Sequence, residues 1–326
     1  MTSTIQDRIL EAATRIKGYV RHTPLDHSYW LSTEGKANVY IKWESEQVTG
    51  SFKARGAFNK IITLINTNQS VKCKGVVTAS SGNHGAACSL AMKSLGVNNG
   101  VVYSPEYVSD AKHIMIEQYG GQVKLHGQDC IDAENYARTT AQERGMPYIP
   151  PYNDYDVIDG QGTVGLEIHE DLPIVDVVFV AVGGGGLISG IGTYFKAVKP
   201  DVKVIGCQPV ESAVIYHSVK AGKILDLSSG DTLSDGTAGG VEQGSVTLDL
   251  CKSLVDDWVL VTEQEIGKAV YDILDKHHKI VEGATGVAIA AYLKTKDQYE
   301  GKTVAIVSCG GNISIKTIKS IISLHG

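Results

Sequence analysis

The sequence predicts an α/β protein with two open, mainly parallel twisted sheets covered by helices on both faces. Three observations predict it. From residue 75 onward, short β-branched runs alternate with stretches of helical period, separated by small or glycine-rich turns. The run Val177 to Val182 is apolar without interruption, as a strand buried on both faces requires. The chain has 326 residues, enough for two domains, and 36 of them are glycine, well above ordinary usage.

Met1 to Val20 carries Ile5, Ile9, Ala13, Ile16 and Val20 at helical spacing and reads as an amphipathic helix of the domain itself. Gly50 to Gly56 opens a helix whose apolar stripe is Ala54, Phe58, Ile61 and Ile65. Gly75 to Thr78 is a strand leading to a helix from Asn83 to Leu95, with Gly96 where a left-handed cap is needed. A strand at Val101 to Tyr103, a helix from Ser109 to Tyr119 stopped by Gly120-Gly121, a strand at Val123 to Leu125 and a helix from Ile131 to Arg144 complete three βα units. The stretch Pro147-Tyr148-Ile149-Pro150-Pro151 cannot continue a helix and reads as a domain crossing. The expected division is a small domain, 74–146, inserted in a large one made of 1–66 and 150–326. In the second series, Asp156 to Glu170 and Leu187 to Val198 read as helices, and Val177 to Val182 and Val202 to Cys207 as strands. Helices at Glu263 to His277 and Thr285 to Lys294, a strand at Thr303 to Ser308 and a helix at Ile313 to Leu324 close the chain.

Hydrophobic residues make up 43% and charged residues 20%, which excludes disorder. A net charge of −6 and the lack of any dense Lys or Arg run argue against nucleic acid or an anionic membrane, leaving small molecules as partners. No apolar run approaches the ~20 residues that span a bilayer. Six scattered cysteines, without a Cys-x-x-Cys pair, point to a reducing cytoplasmic setting and no structural zinc.

Three places at strand ends or helix starts can carry chemistry. Gly183-Gly184-Gly185-Gly186-Leu187 joins an apolar strand to a helix. It is either a tight turn or a phosphate cradle of backbone N–H groups, and it fits neither the Walker loop nor the dinucleotide spacing. Ser80-Ser81-Gly82-Asn83-His84 is either a plain N-cap or a nest for a carboxylate, and His84 alone reads as a packed histidine. Ser51-Phe52-Lys53-Ala54-Arg55-Gly56 places a lysine in a first helical turn, against the helix dipole, so Lys53 is either solvated or there for a purpose.

These motifs, with Ser308-Cys309-Gly310-Gly311-Asn312, together resemble the fold type II pyridoxal-phosphate enzymes, in the order and spacing of the threonine dehydratase and serine racemase branch. The resemblance runs from Thr23-Pro24-Leu25 to the final helix. It implies that pyridoxal 5′-phosphate sits in the large domain and substrate faces the small one. Lys53 then carries the cofactor as a Schiff base with Phe52 beside its ring, and Asn83 bonds the ring hydroxyl oxygen. Gly183, Gly184, Gly185, Gly186 and the Leu187 amide cradle the phosphate, and Cys309 faces the pyridine nitrogen. Ser80, Ser81, Gly82, Asn83 and His84 hold the substrate carboxylate, Gly236 lies near the substrate amine, and Glu282 lies near the ring or else is a solvated charge at a helix start.

The activity implied is a dehydratase acting on a β-hydroxy amino acid such as L-threonine or L-serine, with Lys53 as the base at Cα. Ser81 keeps serine racemisation open, because racemases of this branch use a serine there as a second base. No metal site is expected, since Gln208 and Val214 stand where the racemases' acidic ligands fall. No arginine lies between Gly127 and Asn135, which disfavours a dicarboxylic substrate. The chain ends about one helix after Asn312, so no appended regulatory domain is expected. A cytoplasmic homodimer is the expected form, and a non-catalytic binding protein of the same fold is the rival of a different class.

Overall fold

The computed structural model describes residues 5–106, 110–128 and 130–326. Met1 to Thr4 of the expected first helix and Ser109 at the start of the fourth lie outside the described residues. Nine strands are assigned among the described residues: β1 (Leu25–His27), β2 (Asn38–Trp43), β3 (Val77–Ala79), β4 (Val101–Ser104), β5 (Gln122–Leu125), β6 (Val177–Ala181), β7 (Lys203–Pro209), β8 (Asp257–Val261) and β9 (Thr303–Ser308). They form a six-stranded sheet in the order β1-β2-β9-β6-β7-β8 and a three-stranded sheet in the order β3-β4-β5. Every pairing is parallel except β1 with β2. The predicted α/β class of two mainly parallel sheets therefore holds, with one antiparallel edge.

The central strands explain the parallel core. All five residues of β6 and all six of β9 are buried, because helices cover both faces. Helices Gly186–Val198 and Gly283–Thr295 supply much of that cover, through Leu187, Ile188, Ile191, Val287, Ile289 and Tyr292. A second apolar cluster packs helix Lys53–Thr67 through Ala54, Phe58, Ile61 and Ile65 against Ala87, Cys88 and Ala91 of helix Asn83–Leu95. The expected apolar stripe is thus the face that buries.

Most expected elements fall within two residues of those observed. Helices Asn83–Leu95 and Glu263–His277 and strand β9 coincide with their expected bounds, and Gly96 caps its helix with φ 67°. The final helix runs Ile315–His325 rather than from Ile313, since the Ser314 hydroxyl accepts from Thr317 N and makes Ser314 the N-cap. The first helix stops at Ile16 and leaves Val20 outside, in a turn whose Gly18 has φ 88°. Strands β1, β2 and β8 and helices Tyr29–Gly35, Val214–Ala221 and Thr247–Leu254 are additional to the elements the sequence predicts.

Candidate active site

Three adjacent parallel strands, β2, β9 and β6, end on the same side of the large sheet, and each releases one of the motifs. β9 runs into Cys309-Gly310-Gly311-Asn312, β6 into the glycine loop, and β2 into the short turn that leads to Ser51 and Lys53. Ligand sites of open α/β sheets lie beyond such carboxyl ends. The lysine and cysteine segments are zipped together: Ser51 bridges Gly310, Phe52 N donates to Cys309 O at 3.1 Å, and Gly311 N donates to Gly50 O at 2.9 Å. From the small sheet, β3 ends in Ala79 and releases Ser80 to His84.

Lys53 is the first residue of helix Lys53–Thr67. Its Nζ donates to the Pro151 carbonyl at 2.9 Å and lies 5.2 Å from the Phe52 ring centre. Burial lowers its pKa from 10.5 to about 8, against the opposing pull of Cys88, Cys309 and Glu282. A positive helix N-terminus disfavours an ammonium there as well. The amine is therefore positioned by one carbonyl and held near the point of losing its proton.

Asn83, Glu282, Cys309 and Asn312 form one hydrogen-bonded cluster beside it. Asn83 Nδ2 donates to both Glu282 carboxylate oxygens, at 2.9 and 3.2 Å, and its Oδ1 accepts from Asn312 Nδ2 at 2.7 Å. Glu282 precedes helix Gly283–Thr295 and is 4% exposed, which excludes the solvated-charge reading. Burial raises its pKa to about 7, opposed by the bonds from Asn83, the Asn312 backbone and Cys309. The Cys309 thiol points at Glu282 Oε1 at 3.8 Å, and its pKa is raised well above the ordinary range by burial and that carboxylate. It stays a neutral thiol.

In the glycine loop, Gly185 has φ 86°, a conformation that side chains resist. A Cβ on Gly184 would lie 2.3 Å from the Tyr152 ring, and one on Gly186 would lie 3.0 Å from Tyr152 Cβ. The N–H groups of Gly185, Gly186 and Leu187 have no acceptor among the described residues. Gly184 and Gly186 are thus what lets Tyr152 lie against this loop. Gly183 faces Thr237 in the same way, with a Cβ there 3.0 Å from Thr237 Cα.

On the other side, Ser80 Oγ accepts from Gly82 N at 3.1 Å, and Gly82 has open space where a Cβ would be. Ser81 is half-buried and its hydroxyl has no partner among the described residues. His84 is buried, and its Nε2 meets the Ile149 carbonyl at 3.1 Å, which Thr78 Oγ1 also reaches at 2.8 Å. Burial, reinforced by Lys53, lowers the His84 pKa to about 3, so it is neutral and donates Nε2–H to that carbonyl. Gly236 is exposed and stands across from Glu282, 3.6 Å from a Cβ to Oε1.

Two parts of the site carried little signal in the sequence. Tyr152 and the Pro151 carbonyl follow a proline run that reads only as a crossing. The ion cluster behind the lysine was equally hidden: Arg55, 0% exposed, holds Glu44 at 2.7 and 2.8 Å and Glu167 at 2.8 Å on its second nitrogen. Lys42 Nζ adds a 2.7 Å contact to Glu167, and Thr23 Oγ1 donates to Glu44 at 2.5 Å.

A family model described as pyridoxal-phosphate dependent enzyme matches residues 16–310. The chain is 41% identical to an L-threonine ammonia-lyase of Thermotoga maritima, over 98% of this chain and 78% of that protein. It is 39% identical to the catabolic L-threonine dehydratase of Escherichia coli, over 97% of this chain and 95% of that protein. The solved structure of maize serine racemase superposes with a TM-score of 0.91 at 32% identity, covering 99% of this chain and 98% of that one.

Proposed function

Because this chain belongs to the family of pyridoxal-phosphate dependent enzymes, we propose that it is a dehydratase of the ammonia-lyase type. It converts a β-hydroxy amino acid such as L-threonine or L-serine to a 2-oxo acid and ammonia. The observation that carries this reading is the near full-length likeness to threonine ammonia-lyases, with a half-buried lysine of lowered pKa at the motif that should hold the cofactor.

The residues present suit pyridoxal 5′-phosphate. The glycine loop offers N–H groups of Gly185, Gly186 and Leu187 that are unpaired among the described residues, at a helix start, a donor set suited to a phosphate. Lys53 offers an amine that loses its proton far more readily than a solvated lysine. Phe52 supplies an apolar edge, Asn83 an amide donor, and Cys309 a neutral thiol for the ring nitrogen. When bound, the cofactor supplies the sink for the charge left when the substrate Cα loses its proton.

The chain's own groups divide the remaining work. Segment Ser80 to His84, at the start of helix Asn83–Leu95, binds the substrate carboxylate through helix-start N–H groups and the Ser80 and Ser81 hydroxyls. Lys53 takes the Cα proton, which the Pro151 carbonyl positions it to do. A neutral Cys309 thiol would not hold the cofactor's ring nitrogen protonated as a carboxylate would, which would favour departure of the β-hydroxyl as hydroxide. His84 is not the acid for that departure, because its only ring proton is committed to the Ile149 carbonyl. Gly236 would lie near the substrate amine and Glu282 near the ring, the two standing across from each other.

Incubation with L-serine and L-threonine, scoring 2-oxo acid and D-serine, tests the reading. Production of 2-oxo acid ahead of D-serine is the expected result, and D-serine outpacing pyruvate would overturn it. One observation favours a second activity, racemisation: the Ser81 hydroxyl is half-buried and free of partners among the described residues. Replacing Ser81 with Ala should then abolish racemisation while sparing elimination, and equal loss of both would refute a second base at Ser81. A homodimer in the cytoplasm belongs to the same reading. Cys73, Cys88, Cys207, Cys251 and Cys309 are all free thiols, which suits a reducing compartment, and no described helix is long and apolar enough to cross a membrane.

A further inference from the structure

Asn83 can present either of two faces to a ring hydroxyl: an amide NH2 that donates, or a carbonyl that only accepts. The two ends of a side-chain amide differ little in shape, so its orientation is decided by its neighbours. Here Glu282 accepts from the NH2 end, and Asn312 meets the carbonyl end. Its Nδ2 donates to the Thr49 backbone carbonyl at 2.9 Å and to Asn83 Oδ1 at 2.7 Å. A backbone carbonyl is an acceptor in every protonation state, so the Asn312 atom facing it must be the NH2. That same NH2 requires Asn83 to meet it with Oδ1. Asn83 then has no choice but to turn its own NH2 to the opposite side, where it reaches Glu282 at 2.9 Å.

We propose that Asn312 is a positioning residue that fixes Asn83 with its NH2 on the Glu282 side, the end it would offer to the cofactor's ring hydroxyl, with the Thr49 carbonyl as the fixed reference. The proposal rests on the reading above that the site binds pyridoxal 5′-phosphate through Asn83. A second contact supports the lock. Gly50, adjacent to Thr49, has φ 71°, and a Cβ there would fall 2.5 Å from Asn312 Oδ1. Glycine at 50 therefore admits the Asn312 amide. Orientation passes from the backbone through Asn312 to the carbonyl end of Asn83, while Glu282 holds its NH2 end.

The test is a double-mutant cycle on cofactor affinity, read by absorbance and fluorescence titration of the apoprotein with pyridoxal 5′-phosphate rather than by turnover. Asn312→Asp keeps the shape and loses the donor, and Asn312→Ala loses both. Each should weaken cofactor binding about tenfold in the wild-type background and change the spectrum of the bound cofactor. In the Asn83→Ala background each should change affinity less than twofold, because the residue acts through Asn83. Equal weakening in both backgrounds, or no weakening in the wild type, would overturn the proposal. Loss of cooperative melting of the apoprotein in both variants would also overturn it, since Asn312 would then be structural. Failure of the wild-type chain to bind the cofactor at all would instead sink the reading on which the proposal rests.

Discussion

Lys53 and Arg55 stand two residues apart on one helix, both set into the protein, and the structure treats their charges in opposite ways. Around Arg55 two buried carboxylates, Glu44 and Glu167, meet the guanidinium, which raises its pKa further although burial opposes it. Around Lys53 the amine has one neutral carbonyl, and its pKa falls to about 8. The contrast teaches that burial does not decide a cation's character; the partners supplied to it do. Arg55 is built as a permanent charge that anchors the start of the helix, and Lys53 as a removable one, held in place by that anchor.

The largest effect expected from breaking this contrast is catalytic. Lys53→Ala should lower kcat by at least about 10³-fold, because it removes both the attachment point and the Cα base. Borohydride reduction followed by mass measurement should show the cofactor on the wild-type peptide containing Lys53 and none on the variant. The fold should be nearly indifferent, since among the described residues the side chain makes one hydrogen bond, to Pro151.

Arg55→Met should do the reverse. It leaves Glu44 and Glu167 facing each other in a dry interior, with Lys42 still paired to Glu167, and should cost about 3–5 kcal/mol of stability. Urea unfolding of the apoproteins would show the difference. Equal destabilisation by Lys53→Met and Arg55→Met would dissolve the distinction drawn between them.

How much of this was legible in the residues follows from what kind of information each part needs. β6 and β9 could be read because their uninterrupted apolar runs have one solution, burial on both faces. β2 is not legible in the same way, because Asn38-Val39-Tyr40-Ile41-Lys42-Trp43 carries a lysine where a buried strand should be apolar, and only the fold pairs it with Glu167. The glycine loop, Lys53, Asn83 and Cys309 were found as ordered motifs, but their assembly depends on the β2-β9-β6 neighbourhood, which is a long-range fact. Glu282 stayed ambiguous for the same reason: a glutamate before a helix is ordinarily a solvated cap, and its burial against Asn83 and Cys309 comes from segments 199 and 27 positions away. The Pro151 carbonyl had no side-chain signature.

The smallest effect, and the sharpest test of the contrast, is in pH. The Lys53 amine titrates near 8 in the folded chain and at 10.5 when unfolded, so between those values the unfolded chain binds more protons. Stability therefore rises with pH across that window, and the cost of burying the ammonium is fully in force below about 8. Any stability that Lys53→Met gains over the wild type at pH 7 should shrink toward pH 10.5, whereas the loss in Arg55→Met should stay level, because arginine does not release its proton there. Glu282, raised from 4.5 to about 7, works the other way: the folded chain holds its proton more tightly, so stability falls as pH rises from 4.5 through 7. The two groups also meet directly. An ionised Glu282 raises the Lys53 pKa, so Glu282→Gln should move the midpoint for uptake of pyridoxal 5′-phosphate by the apoprotein from near 8 to a lower pH. Stopped-flow uptake rates from pH 6 to 10 would read both midpoints. A wild-type midpoint near 10 would mean that Lys53 is a solvated lysine, and that the asymmetry between residues 53 and 55 has no chemical consequence.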